Sequence, residues 1–278
     1  MRRIAIALIF SALAASLLTI PVLASAEVSV GVSVAIGPPP LPYYPQPFAP
    51  GPGYIWTPGY WAYGPDGYYW VPGTWVFAPA VGLLWTPGFW GWRDGRYWWH
   101  RGYWGPHVGF YGGINYGYGY WGHGYAGGEW RGNDFYYNRA VSHVDEGRIH
   151  NYYDQAGPSE VHADRVSYNG GAGGIADHPT AEEESLAHQQ HVPATARQVK
   201  HAQKAMNNAG QHFSASHARP DIAATERPGR FGKSAGTVNR SAAGDAYEYR
   251  PARARPMARA PRAPHPPRGG GGRPPRHR

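Results

Sequence analysis

Trp56-Thr-Pro-Gly-Tyr-Trp61, Trp70-Val-Pro-Gly-Thr-Trp75, Trp85-Thr-Pro-Gly-Phe-Trp90 and the degenerate Trp99-His-Arg-Gly-Tyr-Trp104 decide how this chain is read. The four units start 14, 15 and 14 residues apart. That interval is too short for the usual solenoid or propeller repeats and suits two short strands plus two turns. Proline presets φ and glycine accepts positive φ, so each Pro-Gly predicts a turn. On that register Trp56 faces Trp61. The loop at 64–67 brings Tyr63 to Tyr68 and Trp61 to Trp70, the loop at 78–82 brings Trp75 to Trp85, and the loop at 93–96 brings Trp90 to Trp99.

The expectation is a mainly β fold built around an antiparallel meander of about eight short strands over 54–106. One row across it reads Trp56, Trp61, Trp70, Trp75, Trp85, Trp90, Trp99 and Trp104. A neighbouring row on the same face begins Tyr54, Tyr63 and Tyr68. Such a face exceeds the few hundred Å² of apolar surface that a soluble monomer exposes. It is covered by the protein itself, by a partner chain or envelope surface, or by a sugar polymer stacked on the rings. The strands are about half the length a transmembrane barrel needs.

The flanking sequence is of other kinds. Residues 1–26 combine Arg2 and Arg3, an apolar run and the ending Leu23-Ala24-Ser25-Ala26, which predicts a signal peptide and export. No later stretch is apolar for long enough to predict a membrane-spanning helix. Residues 27–53 read as one alternating strand followed by a Pro-rich spacer, and 107–135 as a Gly/Tyr-rich segment ending in a hairpin that pairs Trp130 with Phe135. Residues 136–226 read as strand-like runs at 136–144, 148–153 and 160–168, a flexible glycine loop at 170–174 and two short helices. The helices open at the capping-box patterns Thr180-Ala-Glu-Glu183 and Thr195-Ala-Arg-Gln198. Residues 227–278 read as a disordered basic tail, with 13 Lys/Arg against Asp245 and Glu248. Residues 27–226 hold 11 Lys/Arg against 16 Asp/Glu, so the basicity belongs to the tail.

The repeated units resemble the YXWGXW (WXXGXW) repeats of exported bacterial proteins. Tyr54-Ile-Trp56 and Tyr68-Tyr-Trp70 supply the leading Y-x-W, whereas Leu83-Leu-Trp85 lacks the tyrosine. Arg165-Val-Ser-Tyr-Asn-Gly-Gly171 and Ile222-Ala-Ala-Thr-Glu-Arg-Pro-Gly229 resemble the downstream part of such proteins. The resemblance implies an envelope or secreted setting and brings no catalytic residue.

The chemistry search is spare. Zero cysteines exclude disulfides and thiolate zinc sites. No H-E-x-x-H, G-x-S-x-G or Walker loop occurs, so no enzyme and no cofactor is expected. Glu184, His188 and His191 share a helix face and suggest part of a metal site, against which stands a plain solvated face. His143, Asp145, His162 and Asp164 alternate along expected strands and carry even less. The expected function is therefore a non-enzymatic exported structural or interaction protein of the cell envelope, acting through its aromatic face and cationic tail. Its expected partner is an anionic envelope polymer or a protein, with no specific nucleic acid. The alternatives are a carbohydrate-binding module stacking glycan on exposed tryptophan, and a low-affinity periplasmic metal-binding protein.

Overall fold

A computed structural model describes residues 30–157 and 165–232. The expected signal peptide, His162, Asp164 and the tail beyond residue 232 lie outside the described residues. The fold is mainly β, with its helices after residue 180. The repeat region comprises β2 (Tyr54–Thr57), β3 (Tyr60–Gly64), β4 (Gly67–Val71), β5 (Gly73–Phe77), β6 (Leu84–Thr86), β7 (Phe89–Arg93), β8 (Arg96–His100) and β9 (Tyr103–Gly105), preceded by β1 (Val30–Val34).

The pairing differs from a simple meander. β3 pairs with β4 and β7 with β8, which places Trp61 opposite Trp70, Tyr63 opposite Tyr68 and Trp90 opposite Trp99, as the tip loops predict. However, β2 pairs with β5 and β6 with β9. Trp56 therefore faces Trp75, not Trp61, and Trp85 faces Trp104, not Trp75. A single register runs from Tyr54↔Phe77 through Tyr60↔Val71 to Gly64↔Gly67, and a second from Leu84↔Gly105 to Arg93↔Arg96. The eight strands thus form two long hairpins, each kinked half-way, and the expected turns at Pro-Gly are the kinks. Gly59, Gly73, Gly88 and Gly102 are absent from the positive-φ glycines, so these glycines are not used for left-handed backbone.

What they supply is the lack of a side chain. A Cβ on Gly59 would lie 2.2 Å from Cζ2 of Trp70, and one on Gly73 would lie 2.5 Å from Cζ2 of Trp56. In the second hairpin the corresponding approaches are Trp99 to Gly88 at 2.6 Å and Trp85 to Gly102 at 2.5 Å. The first indole of each unit lies over the glycine of the unit across the hairpin. The second indole meets the facing first indole, with ring centroids 5.2–5.3 Å apart. Such pairs each add about 0.5–1.5 kcal/mol beyond area burial. The kink also frees backbone donors. The Gly59 N–H donates to the Tyr44 hydroxyl at 3.3 Å and the Gly73 N–H to the Ala223 carbonyl at 3.1 Å.

Beyond the hairpins lie β10 (Asn115–Gly117), β11 (Tyr120–Trp121), β12 (Gly128–Arg131), β13 (Asp134–Asn138), β14 (Tyr152–Tyr153), β15 (Tyr168–Asn169), α1 (Ala181–Ala187), β16 (Val192–Pro193), α2 (Ala196–Met206), α3 (Phe213–Ser216) and β17 (Ala224–Thr225). The β12–β13 hairpin has the expected register, with Trp130 opposite Phe135. Both capping boxes form, at Thr180 and Thr195. The strand-like runs at 136–144 and 148–153 shrink to β13 and β14. Asn138 ends the first: its carbonyl accepts from Val141 and Ser142 in a turn, and its amide bonds to Ala126 and Gln155. No helix among the described residues is long and apolar enough to cross a membrane.

Candidate functional site

The predicted aromatic row is brought together, and it faces inward. Trp56, Trp61, Trp70, Trp75, Trp85, Trp90 and Trp104 are buried, and the half-buried Trp99 packs against the same cluster. Seven of the eight rings therefore offer little surface to an external ligand, Trp85 and Trp90 reaching only the lining of a cleft. Of the neighbouring row, Tyr68 is buried, Tyr54 is half-buried against Phe77, and Tyr63 is exposed with its ring edge-on to Tyr68.

The cover comes from segments whose sequence looks like linker. Residues 38–50, expected as a spacer, form no regular structure yet bury Pro38, Pro39, Leu41, Pro42, Gln46 and Ala49. Proline brings a carbonyl acceptor and no N–H to be satisfied, and two of these carbonyls serve the indoles. Trp61 Nε1 donates to Pro40 at 3.1 Å and Trp75 Nε1 to Pro47 at 2.8 Å. The strap is held from outside by Ser167, whose hydroxyl donates to the Pro39 carbonyl at 2.6 Å, and by His143, whose backbone N–H donates to the Gln46 side chain at 2.7 Å. Trp70 Nε1 donates to Ala223 and Trp104 Nε1 to Gln198. Tyr120 joins the hairpins, its hydroxyl 2.8 Å from the Trp85 carbonyl and 3.3 Å from that of Trp56. Burial raises the ionisation of Tyr120 well above the usual phenol range. These phenols stay neutral donors.

With the indoles enclosed, an accessible concavity lies where the two kinks meet α2. This cleft has a volume of about 520 Å³. Its floor holds Pro58, Pro72, Pro87 and Arg101, the third residues of the four repeat units. Its walls include Tyr60, stacked on Trp99 with centroids 5.0 Å apart, and Tyr103, on which His191 stacks at 3.6 Å. Gln198, Val199, Ala202 and Gln203 of α2 form the roof. His201 seals one side. Its Nε2 lies 2.9 Å from the Pro72 carbonyl, which can only accept, and its Nδ1 accepts from the Gly229 N–H at 2.9 Å. That pattern fixes a neutral ring. Burial agrees, pushing its pKa down to about 4 against a smaller opposing pull from the Pro72 hydrogen bond. Burial likewise lowers His191.

The cleft was not foreseen from sequence as a site. One signal stood in plain view: the fourth unit replaces the proline of the other three with Arg101.

The residues considered for metal do other work. His188 and Glu184 are exposed, while His191 turns onto Tyr103. His143 stacks on Phe48 at 3.7 Å, and its Nδ1 donates to the Gln46 carbonyl. Among the described residues no group of three or more His, Cys, Asp or Glu could hold a metal ion. A histidine not singled out in the sequence, His123, is clamped instead between Glu183 at 3.0 Å and Asp177 at 2.8 Å.

Comparison with known families gives one match: residues 51–76 and 81–104 are two copies of the WXXGXW repeat. Each copy coincides with one kinked hairpin, so the repeat is a hairpin holding two tryptophan units. No curated protein and no solved structure matches the chain.

Proposed function

We propose that this WXXGXW repeat chain is a non-enzymatic, exported binding protein of the cell envelope. Its tryptophan ladders act as an internal frame, and contact is made elsewhere. The observation that carries this reading is the burial of seven of the eight repeat indoles in one cluster, with the N–H groups of Trp61, Trp70, Trp75, Trp90 and Trp104 bonded to the proline strap, Ala223, Trp61 and Gln198. A frame of that kind holds a surface rigid, which favours recognition over chemistry. The accessible cleft supports the same reading. It contains no Asp or Glu, so it lacks the paired carboxylates of acid–base hydrolysis. The leader-like residues 1–26 and the basic residues beyond 232 supply export and attraction to anionic polymers.

The test is fractionation of cells making the full chain, with N-terminal sequencing of the product. Cleavage after Ala26 and co-sedimentation with envelopes are expected, weakening with added salt and with removal of residues 233–278. An uncleaved chain in the cytosol would overturn the export reading, and salt-independent sedimentation without the tail would overturn its cationic part.

A further inference from the structure

We propose that the cleft between the two kinks and α2 binds a carboxylated sugar, a pyranose ring seated among the aromatic walls with its carboxylate on Arg101. This rests on the binding-protein reading and assigns that activity a place and a ligand class. It relocates glycan recognition from the tryptophan row, which is enclosed, to a site the row only underlies.

Arg101 is the first argument. Each position of the first hairpin has its counterpart 29 residues later in the second, as the four tryptophans show, so Arg101 takes the place of Pro72. Pro58, Pro72, Pro87 and Arg101 all line the cleft, and the single departure from Trp-x-Pro-Gly-x-Trp puts a guanidinium there. Its side chain is exposed and has no ion-pair partner among the described residues. A guanidinium presents a planar fork of donors suited to a carboxylate.

The second argument is the charge of everything else in the lining. His201 is fixed neutral by its two hydrogen bonds, and His191 is shifted the same way by burial. Tyr60, Tyr69, Tyr103 and Tyr116 are held as phenols by burial. No Asp or Glu is present. At neutral pH the cleft therefore carries one charge, positive, on otherwise neutral walls. An anionic ligand gains from it and a cationic one does not.

The third argument is shape and polarity. About 520 Å³ lies within the roughly 300–1,000 Å³ of small-ligand sites. Aromatic walls with a few amides and hydroxyls suit a ring that is apolar on its C–H face and hydroxylated at its rim. Tyr60, Trp99 and Tyr103 supply the former surface, and Gln203 of α2 and the Tyr69 phenol the latter.

The experiment is calorimetric and fluorescence titration of the full chain with trigalacturonate, a muramic-acid disaccharide, a neutral trisaccharide and inorganic phosphate. At least one carboxylated sugar is expected to bind at least tenfold tighter than the neutral trisaccharide, and which one does so names the source. Arg101→Gln should remove that preference, and Arg101→Pro, which restores the motif of the other three units, should do the same with the near-ultraviolet dichroism of the indoles unchanged. Equal binding of acidic and neutral sugars, undiminished binding by Arg101→Gln, or phosphate competing as well as the sugar would each overturn the assignment. If no sugar binds while the chain still sediments with envelopes, the ligand class is wrong and the broader reading survives.

Discussion

The two hairpins share their register, their four indoles and their glycine contacts, yet their outer faces differ. In the first, Tyr69 and Val71 are buried under α2, with Tyr60, Ala62, Ala202 and Met206 packed alongside. The positions 29 residues on are Phe89, Gly91, Trp98 and His100, and among the described residues no helix packs on them as α2 packs on the first hairpin. There Trp98 is half-buried with Arg93 over its ring, and His100 lies flat on Phe89 at 4.4 Å. The lesson is a division of labour. The Trp and Gly positions of each unit specify the inner face and the kink, while the intervening positions decide what docks outside. In the first hairpin Tyr69 and Val71 pack against Ala202, Ala205 and Met206 of the helix, whereas in the second Trp98 and His100 pack on Arg93 and Phe89 of their own hairpin.

The largest effect that separates the hairpins should come from removing equivalent indoles. Trp70 is 1 % exposed, lies over Gly59 and donates to Ala223, so Trp70→Ala leaves a cavity and removes one of the two donors, with the Gly73 N–H, that the Ala223 carbonyl has. Large-to-small aromatic truncations in cores cost about 3–5 kcal/mol, and this one should fall there. Trp99 is its equivalent but half-buried, and Trp99→Ala should cost roughly half as much. Urea unfolding of the two variants measures this directly. Equal losses would mean that the inner faces are not set apart by what lies outside them.

Next in size are the kink glycines. Gly59→Ala sets a methyl 2.2 Å from the buried Trp70 ring and 2.8 Å from the Gly73 nitrogen. Neither can retreat freely, and overpacking of this kind costs about 1–3 kcal/mol. Gly88→Ala meets Trp99 at 2.6 Å, a half-exposed ring that can yield, but also the His100 carbonyl at 2.7 Å. It should destabilise less than Gly59→Ala without becoming neutral. A harmless Gly59→Ala would remove the account of why each unit keeps a glycine without using positive φ.

Much of this was legible in the sequence, though not all from the right cause. The mainly β class, the tip loops, the Trp130–Phe135 hairpin and both capping boxes follow from local chemistry: alternation, turn residues and Thr-x-x-Glu/Gln spacing. The central pairing was misplaced because Pro-Gly is ambiguous. It closes a turn when glycine takes positive φ, and it kinks a continuing strand when a facing indole needs the vacant Cβ position. Only long-range packing chooses between them. The same holds for residues 38–50, where proline density reads as a linker and the structure uses the carbonyls as acceptors for Trp61 and Trp75. The cleft depends on α2 returning over the kinks, a contact more than a hundred residues from Tyr60 that no local pattern announces. Arg101 was visible only as a blemish in a repeat.

The smallest effect expected here is pH-dependent, and it distinguishes how the hairpins are tied down. The first is fastened at Pro72 by neutral His201. The second is reached through Phe89, Phe110 and His123, with His123 held by Asp177 and by Glu183 of α1. Burial alone pulls the His123 ring down, but its hydrogen bonds to Asp177 and Glu183 outweigh this and raise it above its ordinary value near 6.5. A group with a raised folded pKa contributes fully below its unfolded value and loses that contribution as pH rises through the folded one. His201, at about 4, behaves in the opposite sense, contributing above about 6.5 and failing as pH falls toward 4. Raising the pH from 6 to 9 should therefore loosen α1 and 107–123 while leaving α2 unchanged. Because His123 is 38 % exposed, the change should be a few-fold in hydrogen-exchange protection, after correction for intrinsic rates, and His123→Phe should abolish it. Loss of protection in α2 over that interval, with α1 unmoved, would reverse the assignment of the charged tie to the second hairpin.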